Sequence, residues 1–285
     1  MTAIRPLDVG ILRETVARLL VESNYVIPSD VLDAIRAAAA REASPLGRQT
    51  LEHLIRNYEI AAVERVPVCQ DSGVTVVFLE TGQDVHWVGG SVHEAVYDGI
   101  RDGTSSGYLR RSVTADPTRR VKMLADEQPS GVLHIDLVPG DRVRLTVASK
   151  GFGGENMSAV RMLVPADGVA GIADVVAETV ERAGANACPP VIVGVGIGGT
   201  IETAALLAKK AMLRPLTVRH PRPDLAALEH EWLARVNRLG IGPQGLGGTE
   251  TALAVNIEVF PTHIAGLPVA VNLGCHSTRR ATVEI

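Results

Sequence analysis

The chain has 285 residues, a net charge of -4 and an ordinary globular balance of 46% hydrophobic and 21% charged residues. Aromatic residues make up only 3%, so the core must be built from Ala, Val, Leu and Ile. The absence of a Lys/Arg stripe with interleaved aromatic residues argues against nucleic-acid binding. No apolar run is long enough to span a membrane and the N-terminus lacks the pattern of a secretory signal, so we expect a cytoplasmic protein.

The first part of the chain predicts three helices. Apolar residues recur at helical spacing over residues 8–25. Ser29 and Asp30 can cap a second helix that begins at this point. A third helix is expected over roughly residues 45–62, with its apolar side chains on one face.

Strands and helices then alternate. Apolar and β-branched runs predict strands over residues 74–80, 189–199, 251–260 and 267–274, and helical spacing predicts helices over residues 91–103, 168–184, 200–213 and 224–239. Two further strands, over residues 131–138 and 141–149, are joined by Pro139-Gly140, which predicts a hairpin. The expected fold class is α/β, with a helical N-terminal part followed by mixed sheets packed with helices, in a single domain over residues 1–285.

The three cysteines, Cys69, Cys188 and Cys275, all lie in predicted loops at the ends of apolar segments. Their odd number argues against a disulfide framework, and their spacing excludes a zinc site of the CxxC type. On position alone they are as easily small core residues as ligands. If the thiolates converge, they suit an iron–sulfur cluster. Three ligands leave one iron of a [4Fe–4S] cluster open to act on substrate as a Lewis acid.

A glycine pattern offers a different class of function. Gly194, Gly196 and Gly199 match GxGxxG between a predicted strand and a predicted helix, the context of a nicotinamide-dependent oxidoreductase. The acidic residue expected about 20 residues later is missing, so a tight strand-to-helix turn is favoured. A second hypothesis is that the amides of this helix N-terminus face an anion, either the thiolates with their cluster or the substrate.

Six segments occur in the order typical of one enzyme family. They are VCQDSG (68–73), YLRRSVTADP (108–117), SKGFGGENMS (149–158), CPPVIVGVGIGG (188–199), LGIGPQGLGGTE (239–250) and PTHIAGLPVAVNLGCHSTRR (261–280). Together they resemble the class I iron–sulfur fumarate hydratase and tartrate dehydratase family. The resemblance covers most of the chain and is to the α subunit of the two-chain enzymes, equivalent to the N-terminal domain of the one-chain enzymes.

The resemblance implies a set of site residues. It implies that a [4Fe–4S] cluster, with one iron not ligated by cysteine, is held by Cys69, Cys188 and Cys275. It implies substrate contacts from Gln70, Arg110 and Gly153, with Arg111 as a rival to Arg110, and proton handling by Asp71 and His263. Phe152 departs from the family, which more often has Gly there. The roles of Glu155, Asn156 and His276 stay open.

The resemblance also implies the reaction and the partner. The expected activity is reversible hydration of fumarate to (S)-malate, with a tartrate dehydratase α subunit as the alternative. Family members of one chain carry further catalytic residues in a C-terminal domain, so we expect a β subunit to supply them here, in an α2β2 assembly that acts on a small dicarboxylate. A non-catalytic scaffold subunit with incidental cysteines is the remaining alternative.

Overall fold

The computed structural model describes residues 4–119, 121–122 and 131–285. They divide into two compact units: the first comprises Met1–Pro28, Tyr58–Lys150 and Arg279–Ile285, and the second comprises Ser29–Asn57 and Gly151–Thr278. The expectation of a single domain over residues 1–285 stays a prediction. In the described part of the chain, no helix is both long enough and apolar enough to cross a membrane.

The helices and strands include the predicted ones in the predicted order. The helices are α1 Val9–Tyr25, α2 Ser29–Arg41, α3 Pro45–Glu64, α4 Val92–Ser106, α5 Phe152–Met157, α6 Gly168–Ala183, α7 Ile201–Leu213 and α8 Pro223–Asn237. The strands are β1 Arg5–Asp8, β2 Val74–Gly82, β3 Val85–Val88, β4 Thr114–Asp116, β5 Val121–Lys122, β6 Gly131–Val138, β7 Val143–Lys150, β8 Ala159–Leu163, β9 Val191–Gly198, β10 Ala252–Phe260, β11 Leu267–Gly274 and β12 Arg279–Glu284. The predicted α/β class with a helical N-terminal part is confirmed.

The first unit contains a four-stranded sheet with the order β12-β7-β2-β6, covered on one face by α1 and α4, and the two-stranded sheets β1-β3 and β4-β5. Alternate residues of β2 and β7, among them the buried Val77, Leu79 and Leu145, point into this core because successive strand residues face opposite sides. Gly99 of α4 lets the helix approach α1, since a Cβ there would lie 2.9 Å from Cβ of Val16. The core of this unit is therefore aliphatic, as the low aromatic content predicts.

The predicted hairpin of β6 and β7 is wrong, because β2 lies between them. β2 pairs with β6 in parallel and with β7 antiparallel, so the two consecutive strands are not neighbours. The end of β2 lies against the segment that connects β6 to β7. The amide of Gln83 donates to the carbonyl of Val138 at 2.8 Å, and the amide of Gly82 donates to the carbonyl of Arg142 at 2.8 Å. Gly82 must lack a side chain here, because a Cβ would collide with the carbonyl of Gly140.

The second unit contains a four-stranded sheet with the order β10-β9-β11-β8. β9 and β10 are parallel, and β11 is antiparallel to both β9 and β8. Helices α6 and α8 cover one face with a core that includes the fully buried Trp232. Helix α7 lies on the other face, directly over β9.

Two glycines of β9 explain how α7 packs. A Cβ at Gly194 would collide with the carbonyl of Ala208, and a Cβ at Gly196 would collide with the carbonyl of Ala204. Both glycines lie inside the strand, where they let the helix backbone approach the sheet. Two glycines of the GxGxxG pattern therefore serve packing, and the nicotinamide alternative loses the turn geometry on which it rested.

The sheet of the second unit has two ends that matter for function. At one end β9 begins and β11 ends, and Cys188 and Cys275 lie in the loops there; we call it the cysteine edge. At the other end β9 and β10 end and β11 begins, and His263 lies in the loop between β10 and β11; we call it the histidine edge.

Candidate active site

In the first unit, the Cys69 loop brings a thiol, a carboxylate and an arginine backbone together. The amide of Asp71 donates to Sγ of Cys69 at 3.4 Å, and the carboxylate of Asp71 accepts from the amide of Gly73 at 2.9 Å. The hydroxyl of the buried Ser72 accepts from the amide of Arg110 at 2.9 Å. The predicted residues Cys69, Asp71 and Arg110 therefore share one surface of this unit.

A buried polar network supports this loop from below. The amide of Val68 donates to the carbonyl of Asn24 at 2.9 Å. The Asn24 side chain, which is fully buried, donates to Ser149 at 2.8 Å and accepts from the guanidinium of Arg279 at 3.0 Å. These hydrogen bonds between buried groups give the chain that precedes Cys69 a defined position.

The two candidate arginines differ in their surroundings. Arg110 and Arg111 are both exposed, but a guanidinium nitrogen of Arg111 donates to the hydroxyl of Ser105 at 3.4 Å, at the end of α4. Arg110 is instead tied by its backbone to the Cys69 loop. Gln70 is exposed next to Cys69, whose thiol lies 3.5 Å from its side-chain oxygen. This arrangement favours Arg110 over Arg111 as the residue near Cys69.

In the second unit, the loops of Cys188 and Cys275 are joined by a hydrogen bond. The amide of His276 donates to the carbonyl of Cys188 at 3.2 Å. Cys188 itself has a φ of 53°, a left-handed conformation that few residues with a side chain adopt. The carbonyl of Cys275 accepts from the amide of Thr278 at 3.1 Å and from its hydroxyl at 2.8 Å. His276 thus has a structural contact through its backbone, in line with the loop-orienting role that was one of its two open interpretations.

Gly153 lies beside Cys188. A Cβ at this position would lie 2.9 Å from the carbonyl oxygen of Asn186 and 4.0 Å from Sγ of Cys188. Its absence lets the glycine-rich segment at α5 approach the Cys188 loop. The predicted residues Gly153, Cys188 and Cys275 are therefore all found at the cysteine edge.

Glu155 explains how α5 is held in place, a role that was open from the sequence. Its carboxylate accepts from the ammonium of Lys209 at 2.5 Å and from the amide side chain of Asn272 at 2.9 Å. Asn272 also donates to Ser158 at 3.2 Å. Lys209 and Asn272 were missed because their partners are more than 50 residues away along the chain.

His263 is the exception among the predicted site residues of this unit. It is exposed at the histidine edge, where its Nδ1 accepts from the amide of Ala265 at 3.1 Å. The eight residues of β9 separate this edge from Cys188, and the eight residues of β11 separate it from Cys275. At a rise of about 3.3 Å per residue, the two edges are roughly 23 Å apart. The structure therefore does not bring His263 to the two cysteines of its own unit.

The N-terminus of α7 lies at the same histidine edge. The amide of Gly199 donates to the carbonyl of Pro261 at 3.2 Å, and the hydroxyl of Thr262 donates to the carbonyl of Gly199 at 2.9 Å. The hypothesis that this helix N-terminus faces the thiolates is wrong for Cys188 and Cys275, because β9 holds the helix start and Cys188 at opposite ends.

The donor chemistry of the cysteines fits an iron–sulfur cluster. All three cysteines carry thiols rather than disulfides and are half-buried, which suits ligands that are partly shielded yet reachable by substrate. Among the residues that the structure describes, no three His, Cys, Asp or Glu side chains form a group that could hold a single metal ion. The case for a cluster therefore rests on the thiols and their loops.

Comparison with known proteins identifies the family. The family model for fumarate hydratase (Fumerase) matches residues 13–284. The chain belongs to the fumarate hydratase (Fumerase) family. It is 34% identical over 279 residues to the L(+)-tartrate dehydratase subunit alpha of Escherichia coli strain UTI89, covering 96% of this chain and 90% of that protein. It is 40% identical over 275 residues, covering 95% and 96%, to a Methanocaldococcus jannaschii protein to which the same name is provisionally given.

Membership of the fumarate hydratase family confirms the predicted resemblance and makes the chain a hydro-lyase enzyme. The scaffold alternative and the oxidoreductase alternative are thereby set aside. The first expectation for the substrate was fumarate, with tartrate second. The names of the relatives support the tartrate alternative better.

Proposed function

We propose that this chain is the α subunit of an L(+)-tartrate dehydratase, which removes water from tartrate to give oxaloacetate. The observation that carries the proposal is the match, over at least 90% of both chains, to proteins named as this subunit. Hydration of fumarate to (S)-malate is the second candidate, because the family model is described by that activity. Both reactions use a four-carbon acid with two carboxylates.

The proposed cofactor is a [4Fe–4S] cluster held by Cys69, Cys188 and Cys275. When bound, a cluster with one iron not ligated by cysteine supplies a Lewis acid for the hydroxyl that leaves. The supporting observations are the three thiols, which form no disulfide, and the hydrogen bond that joins the Cys188 and Cys275 loops.

Arg110 is proposed to bind a substrate carboxylate. Its planar guanidinium can donate to both carboxylate oxygens at once, which fixes the orientation of the acid. Gln70, exposed next to Cys69, is proposed to donate to a carboxylate, and the backbone of Gly153 is proposed to contact the substrate near Cys188. Cationic and neutral donors of this kind suit a dianionic substrate.

Asp71 is proposed to handle a proton. Its carboxylate is oriented by the amide of Gly73, and its own amide contacts the thiol of Cys69. A carboxylate fixed in this way can accept or return a proton at a substrate carbon or oxygen within reach. The proposed partner is a β subunit that completes the catalytic set, in an α2β2 assembly.

His263 is proposed to serve the substrate site of a second copy of the α subunit. Within its own unit, β9 and β11 hold it at the edge opposite to Cys188 and Cys275. Large apolar side chains are exposed around it at the same edge: Phe260 is 56% exposed, Ile201 is 56% exposed and Ile264 is 90% exposed. An apolar rim of this kind is typical of a surface covered by another chain.

The decisive experiment is anaerobic co-production of this chain with a β subunit, followed by assays with L(+)-tartrate and fumarate as separate substrates. A kcat/KM at least about tenfold higher for tartrate, equivalent to roughly 1.4 kcal/mol of transition-state binding, supports the proposal. A preference for fumarate replaces it with the second candidate. The Cys69→Ser variant is the control, which should lose both the visible absorption of the cluster and the activity. A wild-type complex without iron and sulfide contradicts the hydro-lyase mechanism.

A further inference from the structure

The peptide that follows Cys188 is held by a residue from a distant loop. The carbonyl of Pro189 accepts two hydrogen bonds from Gln244, one from its amide at 2.8 Å and one from its side-chain nitrogen at 3.0 Å. The carbonyl of Cys188 is bound by His276, so two successive carbonyls are held from different segments. This leaves the left-handed Cys188 backbone little freedom to rotate.

The loop of Gln244 is folded closely against the turn before Cys188. Gln244 has a φ of 54°, which is unusual for a residue with a side chain. The next residue, Gly245, has a φ of 76°, and a Cβ there would lie 2.5 Å from Cβ of Ala185. The carbonyl of Ala185 in turn accepts from the amide of Cys188 at 3.0 Å. The loop of Gln244 and Gly245 is thus packed against the turn at Ala185 that precedes Cys188.

A buried carboxylate anchors the far end of the same loop. Glu42 is fully buried, and its carboxylate accepts from the amides of Ser44 at 2.8 Å, Thr249 at 2.9 Å and Glu250 at 2.9 Å. Burial alone would raise the pKa of Glu42, but these hydrogen bonds and the Thr249 hydroxyl together lower it by more, so the net pKa is below its ordinary value. Gly248 must lack a side chain, because a Cβ would lie 2.7 Å from both carboxylate oxygens.

We propose that Gln244 is a positioning residue that fixes the direction of the Cys188 thiol, and that Glu42 holds the loop which presents Gln244. The inference rests on the proposed function only in taking Cys188 as a cluster ligand. Gln244 acts on the thiol through the Pro189 peptide, whose carbonyl it binds.

The experiment measures the reactivity of each cysteine in the full α chain, purified with its β subunit and freed of iron. Gln244→Glu keeps the shape of the side chain but removes its side-chain donor to the carbonyl of Pro189, while the backbone amide of residue 244 still donates. Alkylation by iodoacetamide, followed by mass spectrometry of the separate peptides, should show Cys188 reacting about fivefold to tenfold faster, the range expected for one lost hydrogen bond. Cys69 and Cys275 should react at the wild-type rate. Gln49→Glu, at an exposed position of α3, is the control for the added charge.

Two further measurements separate positioning from general destabilisation. Iron release to a chelator from the loaded Gln244→Glu complex should be faster, while the melting temperature of the complex stays close to that of the Gln49→Glu control. Equal acceleration at all three cysteines, or no acceleration at Cys188, overturns the proposal. If Gln244→Glu does not fold, Thr249→Val removes one hydrogen bond to Glu42 and should show the same selectivity for Cys188 to a smaller extent.

These readouts also separate this proposal from the proposed function. A wild-type complex that holds no iron and sulfide contradicts the cluster, yet the alkylation of Cys188 still tests whether Gln244 controls this thiol. A wild-type complex with full activity but unselective alkylation in Gln244→Glu contradicts the positioning role alone.

Discussion

Two inactive α chains should restore activity when they are combined, if His263 acts in the site of a second copy. One chain carries His263→Ala and keeps its cysteines; the other carries Cys188→Ser and keeps His263. The structure supplies the reason, because roughly 23 Å of strand, at about 3.3 Å per residue, separates the histidine edge from the cysteine edge of one chain. In a mixed pair, one site receives intact cysteines and an intact histidine from different chains.

The magnitude follows from the symmetry of two equivalent sites. A pure mixed pair contains one intact site, so its activity should be about half that of the wild type. Random pairing yields mixed pairs in about half of the molecules, so an unsorted sample should reach about a quarter. Two different affinity tags isolate the mixed pair, and the initial rate of tartrate dehydration per α pair is then measured.

The reversed arrangement is the matched control. A wild-type chain is paired with a chain that carries both His263→Ala and Cys188→Ser, so the pair contains the same substitutions on one chain. If His263 acts in the second copy, this pair has no intact site and should be inactive. If the mixed pair of single variants is inactive while the reversed pair keeps about half of the activity, then each histidine serves its own chain. That result refutes the reasoning from the strand length.

Three other predictions concern single residues. Gly153→Ala should raise the KM for substrate about tenfold or more, because the new Cβ lies 2.9 Å from the carbonyl of Asn186, while the free energy of unfolding changes by no more than about 1–3 kcal/mol, measured by denaturant titration. Arg110→Lys should raise the KM more than Arg111→Lys, since only Arg110 is tied to the Cys69 loop; steady-state kinetics of both variants decide this. Glu42→Gln should lower stability by about 1–3 kcal/mol at neutral pH. The lowered pKa of Glu42 means that this difference is complete above its ordinary pKa of 4.5 and shrinks as the pH falls below it, which melting curves at several pH values test.

Local patterns were sufficient to predict every described helix except the short α5, and the six described strands of eight or nine residues; the six shorter strands were not predicted. The polar Ser29 and Asp30, with which α2 begins, and the apolar spacing of α1 are properties of neighbouring residues, so they can be recognised without tertiary structure. The hairpin of β6 and β7 was predicted wrongly because Pro139-Gly140 describes only the turn. It contains no information about β2, which lies more than 40 residues earlier and takes the place between the two strands.

The candidate site shows the same limit. The loop positions of the cysteines were visible in the sequence, but their supporting contacts were not. Gln244 and Glu42 act through hydrogen bonds to residues 55 and more than 200 positions away, respectively. The separation of His263 from Cys275 was also hidden, because the two residues are close in sequence. Only the structure shows that β11 runs between them and holds them at opposite ends of the sheet.

The two glycines inside β9 couple the position of α7 directly to the sheet, and through α7 to the helix α5 that contains Gly153. Because Gly194 and Gly196 have no side chains, α7 rests on the strand backbone itself, with no flexible layer between helix and strand. The same helix carries Lys209, whose ammonium binds Glu155 of α5. A methyl group at either glycine would push α7 outward and pull on this ion pair. Displacement of the axis of α7 would then shift the backbone of Gly153, so that a change inside the sheet is transmitted to the backbone proposed to contact substrate.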